Sequence, residues 1–224
     1  INEERYDVMS LEPTTKRLIE TATKNLNKKQ IGLLEQWINN WTFYIEKESK
    51  FQPHRNIKYN AGDIVTVCFG YNVGSEQGGN RPAVVIEDNN LSDKTVMIVP
   101  LASIHPESKE RTIPNSNVYL GELREFNVAA NKEEGTETKA LVNQMRAISK
   151  QRIIQPSKPH HKVIRLGNDN LKLIYDKIKV KDADEIISIF FYLQTHLLLN
   201  KCRPFKTVSL DLIKIKPSIL AKRL

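Results

Sequence analysis

Between Gly62 and Ile148 the sequence falls into short segments that are rich in β-branched residues and have no helical pattern between them. Such segments are typical of strands. Strands this close together predict a small antiparallel sheet or barrel. Glu87–Asn90 predicts a turn between the second and third strands. The predicted strands are Ile64–Phe69, Ala83–Ile86, Thr95–Val99, Val118–Leu120 and Ala140–Ile148.

The residues before this region have a helical pattern, from Glu12 to Lys50. Asn27 and Gln30 resemble a capping box, which predicts that a second helix starts there. Apolar residues then recur at three- and four-residue steps and form one stripe, which must dock. Packing on the chain's own main domain, dimer contact and partner binding all remain open. The stripe consists of Leu34, Trp37, Ile38, Trp41 and Ile45.

Other segments give simpler signals. Phe51–Asn56 breaks the helical pattern and predicts a linker, and Glu122–Lys139 is rich in charge and predicts a mobile loop or a poorly packed insertion. Ser149 can cap a short helical turn over the next three residues. Asp169–Ile178 and Asp182–Asn200 predict helices.

Charge and composition limit the class of protein. Lys and Arg total 34 against 26 Asp and Glu, a net charge of +8, which favours polyanionic partners such as RNA or DNA. The most apolar run, Ile186–Leu199, is too short and too polar to cross a bilayer. Cys68 and Cys202 have neither metal-ligand nor disulfide-framework spacing, and no secretory leader is visible. We therefore expect a soluble, cytoplasmic protein.

A glycine-rich loop joins the first two predicted strands, with the sequence Gly74-Ser75-Glu76-Gln77-Gly78-Gly79. Its glycines permit backbone conformations that let a ligand approach closely. Gly74 and Gly79 have the spacing of a nucleotide P-loop, but Asn80-Arg81 replaces the required Lys-Ser/Thr and a strand follows. A nucleotide P-loop is therefore not expected.

Arg81 lies directly before Pro82, which restricts its backbone to extended conformations. A guanidinium matches phosphate oxygens bidentately and keeps its charge near neutral pH. Such a group suits stabilisation of a phosphoryl transition state. The alternative is a structural arginine that pairs with Glu76 or Glu87.

Two motifs in the same order resemble those of the MazF/PemK toxins. The first comprises Gly62–Val65 and Gly74–Ile86, and the second is Gln144–Arg152. Ile98–Ser103 occupies the place of the family's third strand. The resemblance covers Tyr59–Ile178. We accordingly divide the chain into a helical extension with linker (1–56), a toxin-like domain (57–180) and a helical, basic extension (181–224).

The resemblance implies an α+β fold: a small SH3-like antiparallel β-barrel of the MazF/CcdB type, here with N-terminal and C-terminal helical extensions. It also implies an endoribonuclease (mRNA interferase) that forms a homodimer and is silenced by an antitoxin. Such enzymes cut single-stranded RNA without metal or cofactor by attack of the 2′-hydroxyl. The products carry 2′,3′-cyclic phosphate and 5′-hydroxyl ends.

The family's catalytic arginine corresponds to Arg81, and its hydroxyl residue corresponds to Ser103, where most relatives have threonine. Glu76 is a candidate for the base that accepts the 2′ proton, and equally for a loop-stabilising role; His105 is a further candidate. Gln144 and Arg146, two residues apart on a predicted strand, could line an RNA groove or brace the loop. The expected RNA-binding residues are Ser75, Gln77, Gly78, Gly79, Asn80, Gln144 and Arg146.

Some features leave other readings open. Pro100 within a strand pattern is tolerable at an edge or a bulge. His160-His161 suggests a metal pair, but no carboxylate or cysteine cluster accompanies it, so no metal site is expected. The domain could instead be a catalytically inactive binding module or a scaffold whose extensions act. The N-terminal helical segment could also mask the RNA groove.

Overall fold

A computed structural model of the chain describes residues 11–104 and 113–180. His105, the predicted helix Asp182–Asn200 and the rest of the C-terminal extension lie outside the described residues. Apart from Val180, the described residues belong to one compact unit, Ile1–Lys179. The division of the chain into three parts stays a prediction.

Two helices precede the sheet, α1 (Leu11–Asn25) and α2 (Lys28–Glu48). The predicted capping box starts α2: the Asn27 side chain accepts from the Gln30 amide at 3.0 Å, and the Gln30 side chain accepts from the Asn27 amide at 3.0 Å. These bonds satisfy two donors that a helix start otherwise leaves unpaired. The expected break between the two helices is confirmed.

The apolar stripe of α2 docks only in part. Leu34 and Trp37 are half-buried, whereas Ile38, Trp41 and Ile45 are exposed. Neither α1 nor α2 contains a fully buried residue. The stripe therefore does not pack as a whole on the chain's own domain, because Asn40 and Tyr44 of α2 contact Cys68 instead. Dimer contact and partner binding of the exposed part stay predictions.

Within the described residues the sheet has eight strands, all paired antiparallel, so the predicted α+β antiparallel fold is confirmed. A short helix, α3 (Arg124–Ala129), precedes the fifth strand, and α4 spans residues 168–180. No helix in the described part of the chain is long and apolar enough to cross a membrane. The strands are β1 (Asp63–Cys68), β2 (Asn80–Val85), β3 (Thr95–Ile104), β4 (Val118–Glu122), β5 (Glu137–Ala140), β6 (Arg146–Ser149), β7 (Ile153–Gln155) and β8 (Ile164–Arg165).

A tight turn, and not a continuous ladder of hydrogen bonds, connects the two sides of the curled sheet. The paired order is β4-β5-β3-β2-β1-β7, while β6 pairs with β3 and β8 pairs with β1. A 3-10 turn, Lys150–Arg152, joins β6 to β7, and the Ser149 side chain caps it as predicted. The chain thereby links β3 to β1 across the turn, which is compatible with the expected barrel although the described strands do not form a closed hydrogen-bonded circuit.

Alternation along the strands separates two buried clusters. On β2, Val84 belongs to one cluster with Val99 and Leu101, whereas Ala83 and Val85 belong to the other. Successive strand residues point to opposite faces, so one short strand supplies both clusters. The first cluster is completed by Leu166 and by Ile174 of α4, and the second by Tyr59, Val67, Phe69, Val96, Ile98 and Ile148.

Two sequence-based expectations were wrong. The charged stretch Glu122–Lys139 is not a loose loop: it forms α3 and part of β5, with Phe126 and Asn127 buried. The Asn127 side chain donates to the Thr136 carbonyl at 2.7 Å, which holds this segment together. The predicted strand Ala140–Ile148 is interrupted by a 3-10 turn, Val142–Gln144. Neither the burial of the polar Asn127 nor a single 3-10 turn inside an extended segment produces a periodic pattern of apolar residues, so the sequence pattern could not predict them.

Pro100 lies inside β3 and not at an outer edge of the sheet. Thr95–Ile98 pair with β6, and Leu101–Ile104 pair with β5. Pro100 falls between the segment of β3 that pairs with β6 and the segment that pairs with β5. Its missing N–H therefore removes no hydrogen bond from either of these two ladders. Its carbonyl accepts from the Leu141 amide at 2.8 Å.

Candidate functional site

The loop between β1 and β2 has a closed base. The Phe69 amide donates to the Gly79 carbonyl at 2.8 Å, and the Gly79 amide donates to the Gly70 carbonyl at 2.7 Å. Gly79 has φ +71°, a conformation that favours glycine. A Cβ on Gly78 would lie 2.9 Å from the Gly70 carbonyl, so the two sides of the base approach closely. The glycines therefore pin the base of the loop, and residues 71–77 project from it.

Gln144 holds this loop, although it lies 67 residues from Gln77 in the sequence. Its Oε1 accepts from the Gln77 amide at 2.7 Å, and its Nε2 donates to the Ser75 carbonyl at 3.2 Å. Within the loop, the Asn72 side chain donates to the Gln77 carbonyl at 2.5 Å. Of the two roles considered for Gln144, the geometry matches bracing of the loop.

Gln144 and Arg146 do not share a strand, so the same-face argument for them was wrong. Gln144 ends a 3-10 turn, and Arg146 begins β6. They nevertheless line one cavity of about 560 Å³, together with Ser75 and Glu76. The Arg146 guanidinium also lies 5.3 Å from the centre of the Phe69 ring, a cation–π distance.

Arg81 is the second residue of β2 and is exposed. Its Nε donates to the Gly78 carbonyl at 3.2 Å. The alternative of a structural ion pair does not apply, since Arg81 forms no salt bridge with Glu76 or Glu87 within the described residues. The guanidinium is oriented by the loop backbone and keeps donors for an anion.

Ser103 lies within β3, opposite Thr138 of β5. The β2–β3 ladder places Ala83 opposite Pro100, so Arg81 and Ser103 extend from the same end of this strand pair. Both predicted catalytic residues therefore lie beyond the same end of this ladder, and of the two only Arg81 lines one of the cavities described here.

Lys132 is a site residue that the sequence did not indicate. Its Nζ donates to the Ser103 Oγ at 2.8 Å and lies 4.3 Å from the centre of the Phe126 ring. Burial lowers the pKa of Lys132. A charged ammonium only donates hydrogen bonds, so the Ser103 oxygen must accept here and its own hydrogen can point to another acceptor. Lys132 falls in the segment expected to be a mobile loop, where no sequence pattern marked it.

The end of the second motif supports the same loop. Arg152 donates through Nε to the Cys68 carbonyl at 2.8 Å and through a second nitrogen to the Phe69 carbonyl. Its guanidinium lies 5.2 Å from the Trp37 ring centre. Burial is the main cause that lowers the pKa of Arg152, and nearby Cys68 opposes it. Gln144 and Arg152, at the two ends of one motif, thus both hold the β1–β2 connection.

A cavity of about 460 Å³ lies between α2 and the loop. Arg81, Asn80 and Glu76 line one side, with the loop glycines 74, 78 and 79. Glu76 therefore borders both cavities and is exposed. The α2 side consists of Gln30, Leu33, Gln36, Trp37 and Asn40.

The paired histidines have a local structural role. The His160 and His161 rings meet edge to face at 4.7 Å, and the His161 Nδ1 accepts from the Ser157 amide at 3.1 Å. Across residues 11–104 and 113–180, no group of three or more His, Cys, Asp or Glu is placed to hold a metal ion.

Comparison with known proteins gives one finding. Residues 60–180 match a family model described as PemK-like, MazF-like toxin of type II toxin–antitoxin systems. The match spans more than half of the 224 residues and includes β1 to β8. No curated protein matches the chain. Both α1 and α2 lie outside the matched residues.

Proposed function

This chain belongs to the PemK-like, MazF-like toxin family of type II toxin–antitoxin systems, and from that premise we propose that it is a metal-independent endoribonuclease. The substrate is single-stranded RNA. The observation that carries the proposal is Arg81: an exposed guanidinium without a carboxylate partner among the described residues, at the start of β2, next to a braced loop and beside a cavity.

The reaction is an attack of the ribose 2′-oxygen on the neighbouring phosphorus. A 2′-O–P bond forms and the P–O5′ bond breaks, which leaves a 2′,3′-cyclic phosphate and a 5′-hydroxyl. Negative charge grows on the non-bridging oxygens during the attack. Arg81 stabilises this charge, and because its loop is already held by Gln144, little reorganisation is needed.

Glu76 is the proposed acceptor of the 2′ proton. The carboxylate lies on the exposed side of the loop and borders both cavities, so an RNA strand that crosses from one cavity to the other passes it. The proton balance closes when the departing 5′-oxygen takes up a proton from solvent.

Ser103 contributes a hydrogen bond to a phosphate oxygen. Lys132 occupies the acceptor side of its hydroxyl, which leaves the hydroxyl hydrogen for the substrate. Lys132 is thus a positioning residue that acts through Ser103. Threonine, the usual family residue, has a methyl group that restricts its rotamer, and serine lacks this group. The contact with Lys132 compensates for its absence by orienting the Ser103 hydroxyl.

RNA contacts divide between backbone and side chains. The Gln77 amide and the Ser75 carbonyl are already bonded to Gln144, so these groups hold the loop. Asn80 and Arg146 are exposed or half-exposed beside the cavities and are the proposed direct contacts, while Gly78 and Gly79 let the strand come close to the backbone.

The family assignment implies an antitoxin as protein partner. The net charge of +8 supports RNA as the other partner, since it favours binding of polyanions. A homodimer and a cytoplasmic location are further parts of the proposal.

The deciding experiment incubates antitoxin-free protein with single-stranded RNA in excess chelator and analyses the product ends. We expect cleavage with 2′,3′-cyclic phosphate and 5′-hydroxyl ends, lost in Arg81→Ala and strongly reduced in Ser103→Ala. Arg55→Ala, at an exposed arginine of a 3-10 turn, is the control for loss of one positive charge. RNA binding without cleavage would establish a binding module, and a metal requirement would contradict the mechanism.

A further inference from the structure

The cavity beside Arg81 has one wall that the family match does not include. Five of its lining residues belong to α2, whereas the family match begins at residue 60. We infer that α2 supplies the base-reading wall of the RNA cleft, with Gln36 as the amide that recognises a nucleobase next to the cut phosphate. This inference rests on the proposed ribonuclease function.

Helix α2 is anchored as a fixed wall. Trp37 lies directly over Gly70, where an added Cβ would be 2.7 Å from the indole ring. Only glycine permits this approach, and its φ of +82° is also unfavourable for other residues. The Arg152 guanidinium also lies 5.2 Å from the centre of the same ring, a cation–π distance.

The anchor continues along the next turns of α2. The Asn40 side chain donates to the Cys68 sulfur at 3.5 Å. Burial raises the pKa of Tyr44, and a hydrogen bond with Cys68 is the second largest cause of this increase. Trp37, Asn40 and Tyr44 therefore attach α2 to the end of β1, and the part of the helix before Trp37 overhangs the loop.

The cavity under this overhang fits a nucleobase in size and chemistry. Its volume of about 460 Å³ is within the usual range for a small-ligand pocket. Glutamine and asparagine amides both donate and accept, which matches base edges, and Tyr71 offers a ring for stacking. The Gln30 side-chain oxygen already accepts from the Asn27 amide in the capping box of α2, whereas Gln36 is exposed and lines the cavity.

Charge argues against α2 as an inhibitor that imitates RNA. A segment that occupies a phosphate site would present carboxylates to Arg81. The α2 residues that line the cavity are three amides, one leucine and one tryptophan, with no acid among them. The cavity also remains open next to Arg81. The observations favour recognition over masking.

The test uses full-length protein and an RNA pool randomised around the cleavage position. The variants are Gln36→Ala and, as control, Asn39→Ala, an exposed amide on α2 that does not line the cavity. Loss of one hydrogen bond to a base should reduce discrimination at one nucleotide by about 3- to 10-fold. We expect this change in Gln36→Ala and not in Asn39→Ala, with kcat on the preferred sequence reduced less than selectivity.

A second variant separates recognition from masking. Trp37→Ala releases the anchor on Gly70, and circular dichroism would verify that the domain stays folded. We expect lower selectivity and no gain in rate. Higher activity in Trp37→Ala would identify α2 as a mask and overturn the inference, as would unchanged selectivity in Gln36→Ala. If wild-type protein cuts no RNA, the proposed function itself fails, and the inference fails with it.

Discussion

Arg81 and Ser103 lie at the same end of the β2–β3 pair, but the protein holds them in different ways. Arg81 is exposed and donates a 3.2 Å bond to the Gly78 carbonyl of the preceding loop, whose Gln77 is held by Gln144, 67 residues further along the chain. Ser103 is fixed in a ladder opposite Thr138, and a lysine contacts its hydroxyl. The guanidinium is placed by restraining the backbone, whereas the hydroxyl is placed by a side-chain partner.

This difference has a physical reason. A guanidinium carries five donors in a rigid fork, so it needs only the right backbone position to meet a phosphate. A serine hydroxyl has one hydrogen that rotates freely, so its direction must be set by what else it bonds. Substitutions of the residues that hold the loop next to Arg81 should therefore reduce activity by loosening the loop. Substitutions around Ser103 should reduce activity by changing the direction of its hydroxyl hydrogen.

The largest effect is expected for Arg81→Ala. Removal of a charged donor from a phosphoryl transition state should lower kcat/KM by about 10³-fold. Arg81→Lys keeps the charge without the fork, so it should recover only part of this loss. Because Arg81 is exposed, the melting temperature should stay near that of wild type. A fluorogenic RNA assay measures the rate, and a rate within twofold of wild type would remove Arg81 from the mechanism.

Gln144→Ala should cost less, about 10- to 100-fold in kcat, because the loop loses the two bonds from the Gln144 side chain while Arg81 itself is retained. Limited proteolysis should become faster within the loop between β1 and β2. Asn143→Ala is the matched control, since Asn143 is an exposed amide that lines the same cavity of about 560 Å³ as Gln144. Equal losses in the two variants would indicate RNA contact and not bracing.

Lys132→Met should lower kcat/KM by about 10-fold, because the Ser103 hydroxyl loses the partner that orients it. The double variant Lys132→Met with Ser103→Thr should regain most of the rate, since threonine restricts its own rotamer. Lys158→Met, at an exposed lysine, controls for the lost charge. Failure of the threonine to restore the rate would mean that Lys132 contacts RNA directly.

The pH dependence of the same variant gives a second readout. Burial lowers the pKa of Lys132, so folding disfavours its charged form. The associated cost in folding free energy is fully present below that lowered pKa and declines as pH rises from it to the ordinary lysine pKa of the unfolded chain. Wild-type activity should therefore fall on the alkaline side as Lys132 loses its proton, and Lys132→Met should lack this limb. The melting temperature of Lys132→Met at pH 7 should not decrease, because the buried charge is gone.

The smallest effect is expected for Ser103→Thr alone. Since Lys132 already sets the hydroxyl direction, the added methyl group should change kcat/KM by no more than about threefold. A rise of tenfold or more in the cleavage assay would show that Lys132 does not orient Ser103 in the wild-type protein.

Local patterns predicted most of the elements. Glycine at the loop base and proline after Arg81 constrain backbone angles directly, so the position of the loop between β1 and β2 follows from nearby residues. The same holds for the α2 cap at Asn27 and the turn capped by Ser149. The fold of Glu122–Lys139 did not follow, because it depends on burial of Phe126 in a cluster with residues of β1, β2 and β3. The 3-10 turn after Ala140 was not predicted either.

The sequence by itself determined the family, the antiparallel strand pattern and the loop that precedes Arg81, because each depends on contiguous residues with strong backbone preferences. Only the tertiary structure decided which partners those residues have. Lys132 meets Ser103 across 29 residues, and Gln144 meets Gln77 across 67. Trp37 closes on Gly70 from a helix outside the family match. Such contacts depend on how the sheet curls, and no local preference encodes that.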